Sequence, residues 1–295
     1  MFLKVLSLKP ISKLWYLVPA GLVVLSVGFL LLNGTISVEA EQVRSFLDSK
    51  FMLYFLVGLA AQLVDGALGM AYGVTSTSFL LSMGVSPAIS STSVHVAEMF
   101  TTGASAISHL RFKNINKKLF RSLLIPGVLG AVTGAYLLSD VIDGNAVKPY
   151  IAIYMLILGV IIIRKAIRKR LVKNKTKRIG VLAATGGFLD SIGGGGWGPI
   201  VTSTLLGQGR DPRYTIGSVN AAEFVITFSS GITFLIFNGI DSWQVVLGLI
   251  LGGVIAAPFG ALLVGRINSR VLMLSVGILV IGLSLRTVLQ GFGFI

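Results

Sequence analysis

The chain has 295 residues, 54% of them hydrophobic and 12% charged, with a mean hydropathy of +0.88 and a net charge of +14. Apolar stretches of about 20 residues recur from end to end, each long enough to cross a hydrocarbon core, so an ordinary soluble domain is excluded. Cysteine is absent, which excludes disulfides, thiolate metal sites and thiol nucleophiles. The basic residues cluster in loops between apolar segments, as topology determinants do, and make no case for a nucleic-acid partner.

In chain order, Lys4, Lys9 and Lys13 precede an apolar run over 14–32, which reads as a retained first span with the N-terminus cytoplasmic. The loop 33–50 carries Glu39, Glu41 and Asp48 and reads as outside. The segment 51–83 is broken near Asp65–Gly73 into arms of about 14 residues, each rising only about 21 Å as a helix, which suggests a re-entrant hairpin. Non-helical backbone at that depth must be buried in protein or line a cavity. Spans follow at 88–109, 119–139 and 148–167, then a basic cytoplasmic stretch from Arg164 to Arg178. A second hairpin over 179–206 and spans at 214–238, 243–264 and 270–290 close the chain. The expected fold is all-α and polytopic, with about seven full spans plus two glycine-broken re-entrant hairpins. Its parts are 1–50 (first span and outer loop), 51–168 (repeat 1), 169–178 (basic linker) and 179–295 (repeat 2).

The repeat is visible residue by residue. Residues 65–107 align with 190–232 without a gap at a shift of 125, and 16 of the 43 pairs are identical. Gly69/Gly194, Gly73/Gly198, Gly84/Gly209, Pro87/Pro212 and Glu98/Glu223 are among them. Each copy has an odd number of crossings, and the loop charges then place the copies upside down relative to each other, an inverted repeat. Secondary transporters build mid-membrane sites this way, from broken helices at the interface of inverted repeats.

Of 11 acidic residues, all but Asp65, Glu98, Asp190 and Glu223 lie in or beside loops. A carboxylate in apolar surroundings is costly and marks an ion or proton pathway, or a structural partner. Asp65 and Asp190 suit capping of the helix that begins after them, whereas Glu98 and Glu223 sit mid-span with no cap to make. The run Gly193-Gly194-Gly195-Gly196 admits two readings, a cradle of backbone N–H groups for an anion or close helix packing. Tyr72 and Trp197 align and are placed either as cavity walls or as interface anchors. Ser93 aligns with Ser218, and His95 with Asn220; His95 and Asn220 each share a helix face with the glutamate three residues on. Histidine is the side chain type suited to proton transfer, and His95 is read as a proton relay, an anion donor or a structural imidazole. No Lys or Arg lies inside the spans away from their ends. An anionic substrate would therefore be held by Gly193–Gly196, Tyr72, Trp197, Ser93, Ser218, His95 and Asn220.

A glycine-interrupted hairpin followed by a Pro-led span with Ser-Val-x-x-x-Glu, repeated after a basic loop, resembles the TauE/SafE sulfite exporter family over residues 51–290. The resemblance implies transport of small sulfur oxoanions, sulfite or organosulfonates, across a prokaryotic plasma membrane. It carries that role only to matching positions: Asp65, Glu98, Asp190, Glu223, the glycines 193–196 and Asn220. A cation or proton exchanger using the same acids is the competing reading. An intramembrane enzyme with Asp65 and Asp190 as a dyad is the weakest, because equivalent repeat positions explain the pair more simply. The expectation is a transporter and not an enzyme, with no cofactor or metal, acting as a monomer or a homodimer.

Overall fold

A computed structural model of the chain describes residues 49–111, 113–167, 178–239, 242–263 and 268–294. The expected first span, the loop 33–48 and the linker residues 169–177 lie outside the described residues. The chain divides into Met1–Met52 and Leu53–Ile295. Of the first unit only 49–52 are described, as the opening turn of a helix, and the architecture is that of the second.

The elements are all helical: α1 (Ser49–Leu68), α2 (Tyr72–Ser82), α3 (Pro87–Arg111), α4 (Lys117–Tyr136) with a π-helical extension (Leu137–Val141), and α5 (Gly144–Ile167). After the linker come α6 (Ile179–Gly193), a π-helical turn (Gly198–Thr202) running into α7 (Ser203–Gly207), α8 (Pro212–Asn238), α9 (Trp243–Leu263) and α10 (Ser269–Gly291). Pro87 and Pro212 open α3 and α8, where a missing N–H costs nothing.

Among the described residues, four segments are long and apolar enough to cross a membrane: Lys117–Val141, Ala146–Ile167, Arg213–Asn238 and Arg270–Gly291. The sequence reading expected seven spans. α3 has 25 residues, long enough to cross, but is more polar than these four, because Ser90, Ser91, Thr92, Ser93, His95 and Glu98 lie along it. All six are buried inside the protein. Large apolar side chains such as Ile125, Leu129, Ile157, Ile236 and Ile278 point outward instead, the pattern of a lipid-facing surface.

The first break differs from expectation. α1 is 20 residues long and runs through Asp65 to Leu68, so it rises about 30 Å and its length no longer excludes a crossing. Gly66 and Ala67 stay helical because the chain turns only at Gly69, whose φ is +68°. Asp65, one turn before the end of α1, reaches across the break: its Oδ1 accepts the N–H of Ala71 at 2.7 Å and of Tyr72 at 3.3 Å. The second break repeats this geometry 125 residues on. Gly194 has φ +69°, and Asp190 Oδ1 accepts the N–H of Gly196 at 2.6 Å and of Trp197 at 2.9 Å. Each aspartate therefore satisfies free N–H groups at the start of the helix that follows its break. The correspondence continues at Gly84 and Gly209, both with positive φ, and at Thr102 and Thr227, which donate to the carbonyls of Glu98 and Glu223.

Packing follows the same shift. α3 packs on α8 and α5 on α10, each pair exchanging its members under the repeat; α4 against α8 matches α9 against α3. α4 meets α6 with Gly130 against the Ala184 backbone, and α9 meets α1 with Gly252 against the Phe55 backbone. The two breaks lie against each other: a Cβ at Gly73 would stand 3.0 Å from Gly195 Cα, and one at Gly198 would overlap the Met70 backbone.

Two outcomes are expected in thermal unfolding of the detergent-purified protein. Gly195→Ala costs about 1–3 kcal/mol by overpacking against Gly73 and Val74, whereas Gly282→Ala, with open space around it, costs nothing measurable. Asp65→Ala costs about 1 kcal/mol, and Asp65→Asn, which keeps an acceptor oxygen for Ala71 and Tyr72, costs less.

Candidate functional site

Between the two breaks lies a cavity of about 10 Å³, room for the centre of one water. The side chains of Asp65, Glu98, Asp190 and Glu223 line it, together with backbone of Gly73 and of Gly195–Gly196. The tertiary structure thus brings the four acids of the two repeats to one place. It also makes them unequal: Glu98 and Asp190 are each only 4% exposed, while Asp65 and Glu223 are half-buried. Among the described residues, no Lys or Arg lines the cavity.

His95 reaches this cluster from α3. Its Nδ1 lies 2.8 Å from the carbonyl oxygen of Ser91, an acceptor only, so Nδ1 carries a hydrogen and donates it. The other nitrogen, Nε2, lies 3.3 Å from Asp190 Oδ2, and neither atom has a hydrogen-bond partner. Phe234 covers the ring at 5.3 Å between centroids. Polar side-chain atoms of His95, Glu98 and Asp190 all fall within 4.8 Å of one another, one buried cluster drawn from both repeats. The two His95 contacts come from different repeats, Ser91 from the first and Asp190 from the second.

The glycine run is packed on every side. A Cβ at Gly193 or Gly196 would enter Tyr154, one at Gly194 would enter Thr77, and one at Gly195 would enter the Gly73–Val74 backbone. Its carbonyls are engaged as well: Gly194 O accepts from the Thr77 hydroxyl and Gly195 O from Tyr154. The N–H groups of Gly196 and Trp197, which an anion cradle would offer, already point at Asp190. Of the two readings left open for this run, close packing is the one with contacts at all four positions.

The remaining candidates are divided by the fold. Tyr72 borders the cavity and donates from its hydroxyl to the Leu249 carbonyl at 3.1 Å. Trp197 is fully buried with Leu123, Val201 and Ile226, away from the cavity lining, so neither aromatic is an interface anchor. Asn220 donates to Ser105 at 3.1 Å, and its oxygen lies near Gly69. Ser218 accepts the Asn116 N–H at 2.8 Å and donates to the Tyr214 carbonyl, which braces the start of α4 rather than the cavity. Ser93 borders a separate small hollow with Thr92 and Asn238.

Two residues escaped the sequence reading. Tyr154 on α5 backs the glycine run, and Lys165 donates to the Pro199 carbonyl at 2.8 Å and to the Ser203 hydroxyl. Lys165 falls in the basic stretch, but it shares a helix face with the buried Leu158 and Ile162, seven and three residues before it, the spacing that betrays it. Its ammonium supplies donors to the π-helical turn, where the regular helical ladder is interrupted.

The comparison with known proteins agrees with this architecture. The family model described as "Sulfite exporter TauE/SafE" matches residues 54–287. A "Probable membrane transporter protein YtnM" of Bacillus subtilis (strain 168) is 42% identical over 251 residues, covering 82% of this chain and 83% of that protein. No solved structure matches. The broken, twice-capped helices described above span the matched region, and the chain belongs to the TauE/SafE sulfite exporter family of membrane transporters.

Proposed function

We propose that this transporter is a secondary carrier for sulfite or a small organosulfonate, working by alternating access between two inverted repeats in a prokaryotic plasma membrane. The observation that carries the reading is the helix break built twice, with the same aspartate cap and the same left-handed glycine, around one cavity. Element pairs that exchange under the repeat support a two-fold relation between the halves. The water-sized cavity fits an occluded state, in which neither side has opened a path for an ion of sulfite's size.

Charge sets a condition on this carrier. Two unit like charges 4 Å apart repel by about 4 kcal/mol at an effective dielectric constant of 20. An anion entering beside four acids with no Lys or Arg among the lining residues must therefore travel with protons or another cation. Glu98 and Glu223, which have no break to cap, are assigned that coupling role. The same acids favour a second reading, a cation or proton exchanger with no oxoanion substrate.

Flux into proteoliposomes separates the two. Radiolabelled sulfite should enter saturably and be competed by organosulfonates; sulfite flux no greater than in empty liposomes, with sodium or proton flux present, overturns the first reading for the second. Glu98→Gln and Glu223→Gln should each lower pH-gradient-driven uptake at least tenfold more than they lower sulfite exchange in the same vesicles. An equal fall in both measurements removes the glutamates from coupling.

A further inference from the structure

Two buried atoms face each other across the repeats at ion-pair distance. His95 Nε2 and Asp190 Oδ2 are 3.3 Å apart, His95 is 0% and Asp190 4% exposed, and neither atom has a hydrogen-bond partner. The hydrogen on Nδ1 is committed to Ser91. A neutral ring therefore presents the lone pair of Nε2 to Asp190, and if that carboxylate is ionised two acceptors meet in a buried site. Such an arrangement is unfavourable unless a positive charge lies between them.

We infer that the His95–Asp190 contact is a proton-binding site that joins the two repeats, and that it exchanges the proton which Glu98 and Glu223 couple to transport. The inference deepens the transport reading and rests on it for the word coupling; proton binding at the contact does not. With the proton present, imidazolium and carboxylate attract and the second break is held against α3. When it leaves, the attraction is lost and two lone pairs face each other, which frees the tip of the second hairpin to move. Asp190 is suited to transmit this, because its other oxygen holds the N–H groups of Gly196 and Trp197. One carboxylate thus reads the proton with Oδ2 and caps the helix after the break with Oδ1.

The surroundings give the proton a way out. Glu98 lies one turn beyond His95 on α3, with a carboxylate oxygen within 4.8 Å of both partners. From there the cavity leads to Glu223 on α8 and Asp65 on α1, the two half-buried acids. Tyr72 on α2 borders the cavity with its hydroxyl donated to Leu249, the Tyr154 hydroxyl on α5 lies against Gly195 and Gly196, and Lys165 turns away to Pro199. The site is single: the repeat mate of His95 is Asn220, which cannot titrate and donates to Ser105. This difference makes one half of the molecule the proton-reading half.

The chain has two histidines, so His109→Asn leaves His95 as its one imidazole, observable by nitrogen-15 NMR of the labelled, detergent-purified full chain. We expect Nδ1 to stay protonated across the titration while Nε2 gains and loses its proton. Adding Asp190→Asn keeps an oxygen for the cap but removes the charge, and should weaken proton binding at Nε2 at least tenfold. A titration changed less than twofold by Asp190→Asn overturns the site, and so does one equivalent of bound metal ion in the purified protein by elemental analysis. In proteoliposomes with an internal pH dye, protons should move with sulfite, and His95→Gln should lower the protons moved per sulfite at least tenfold. Sulfite flux without proton movement overturns the coupling role. Linked titration with no sulfite flux leaves the proton site standing and removes the oxoanion reading instead.

Discussion

The contact on which the rest of the structure depends is backbone against backbone, where the break between α1 and α2 meets the break between α6 and α7. Gly73 lies against Gly195 and Gly198 against Met70 with no room for a side chain between them. Interrupting a helix in an apolar medium leaves N–H and C=O groups that water cannot satisfy, each costing several kcal/mol if left alone, roughly the whole stability margin of a domain for two or three of them. The chain meets this by bringing its own carboxylates, hydroxyls and an ammonium to the breaks. Asp65 and Asp190 serve the N–H groups, Thr77 and Tyr154 the carbonyls of Gly194 and Gly195, and Lys165 the carbonyl of Pro199.

This solution has an electrostatic consequence. Two carboxylates needed for capping are placed within one cavity, and Glu98 and Glu223 join them from α3 and α8. The site is acidic because the breaks need acceptors, not because an anion needs them. An oxoanion carrier built on this scaffold must therefore bring positive charge to the cavity at some point in its cycle. His95 is the residue present in one half and absent from the other that is able to hold it there.

The glycine run shows how one sequence signal can carry two meanings. Four consecutive glycines remove every side chain from a stretch of backbone, and that serves an anion approaching the N–H groups as well as a neighbouring helix approaching the Cα atoms. Sequence cannot separate these, since both require the same vacancy. The neighbours separate them: Tyr154, Thr77 and the Gly73–Val74 backbone fill the space at each of the four positions. The length of the first arm was misjudged for a related reason. Asp followed by Gly looks like a turn, but Asp65 stays in the helix because its acceptor is wanted six and seven residues on, at Ala71 and Tyr72.

The sequence by itself determined the helical membrane character, the two broken segments, the pairing of Asp65 with Asp190 and of Glu98 with Glu223, and the family. These follow from composition and from a repeat without gaps, both of which are properties of a string. It also placed the ends of α3, α4, α5 and α8 to within a few residues, because Pro and loop charges mark them locally. Only the tertiary structure decided which candidates share a site. Ser218 and Asn116 meet 102 positions apart, and His95 and Asp190 meet 95 positions apart with no local pattern linking them. Which face of a buried, polar helix meets which partner depends on how the two repeats are packed. That packing is set by glycine contacts whose positions in space no periodicity along the chain records.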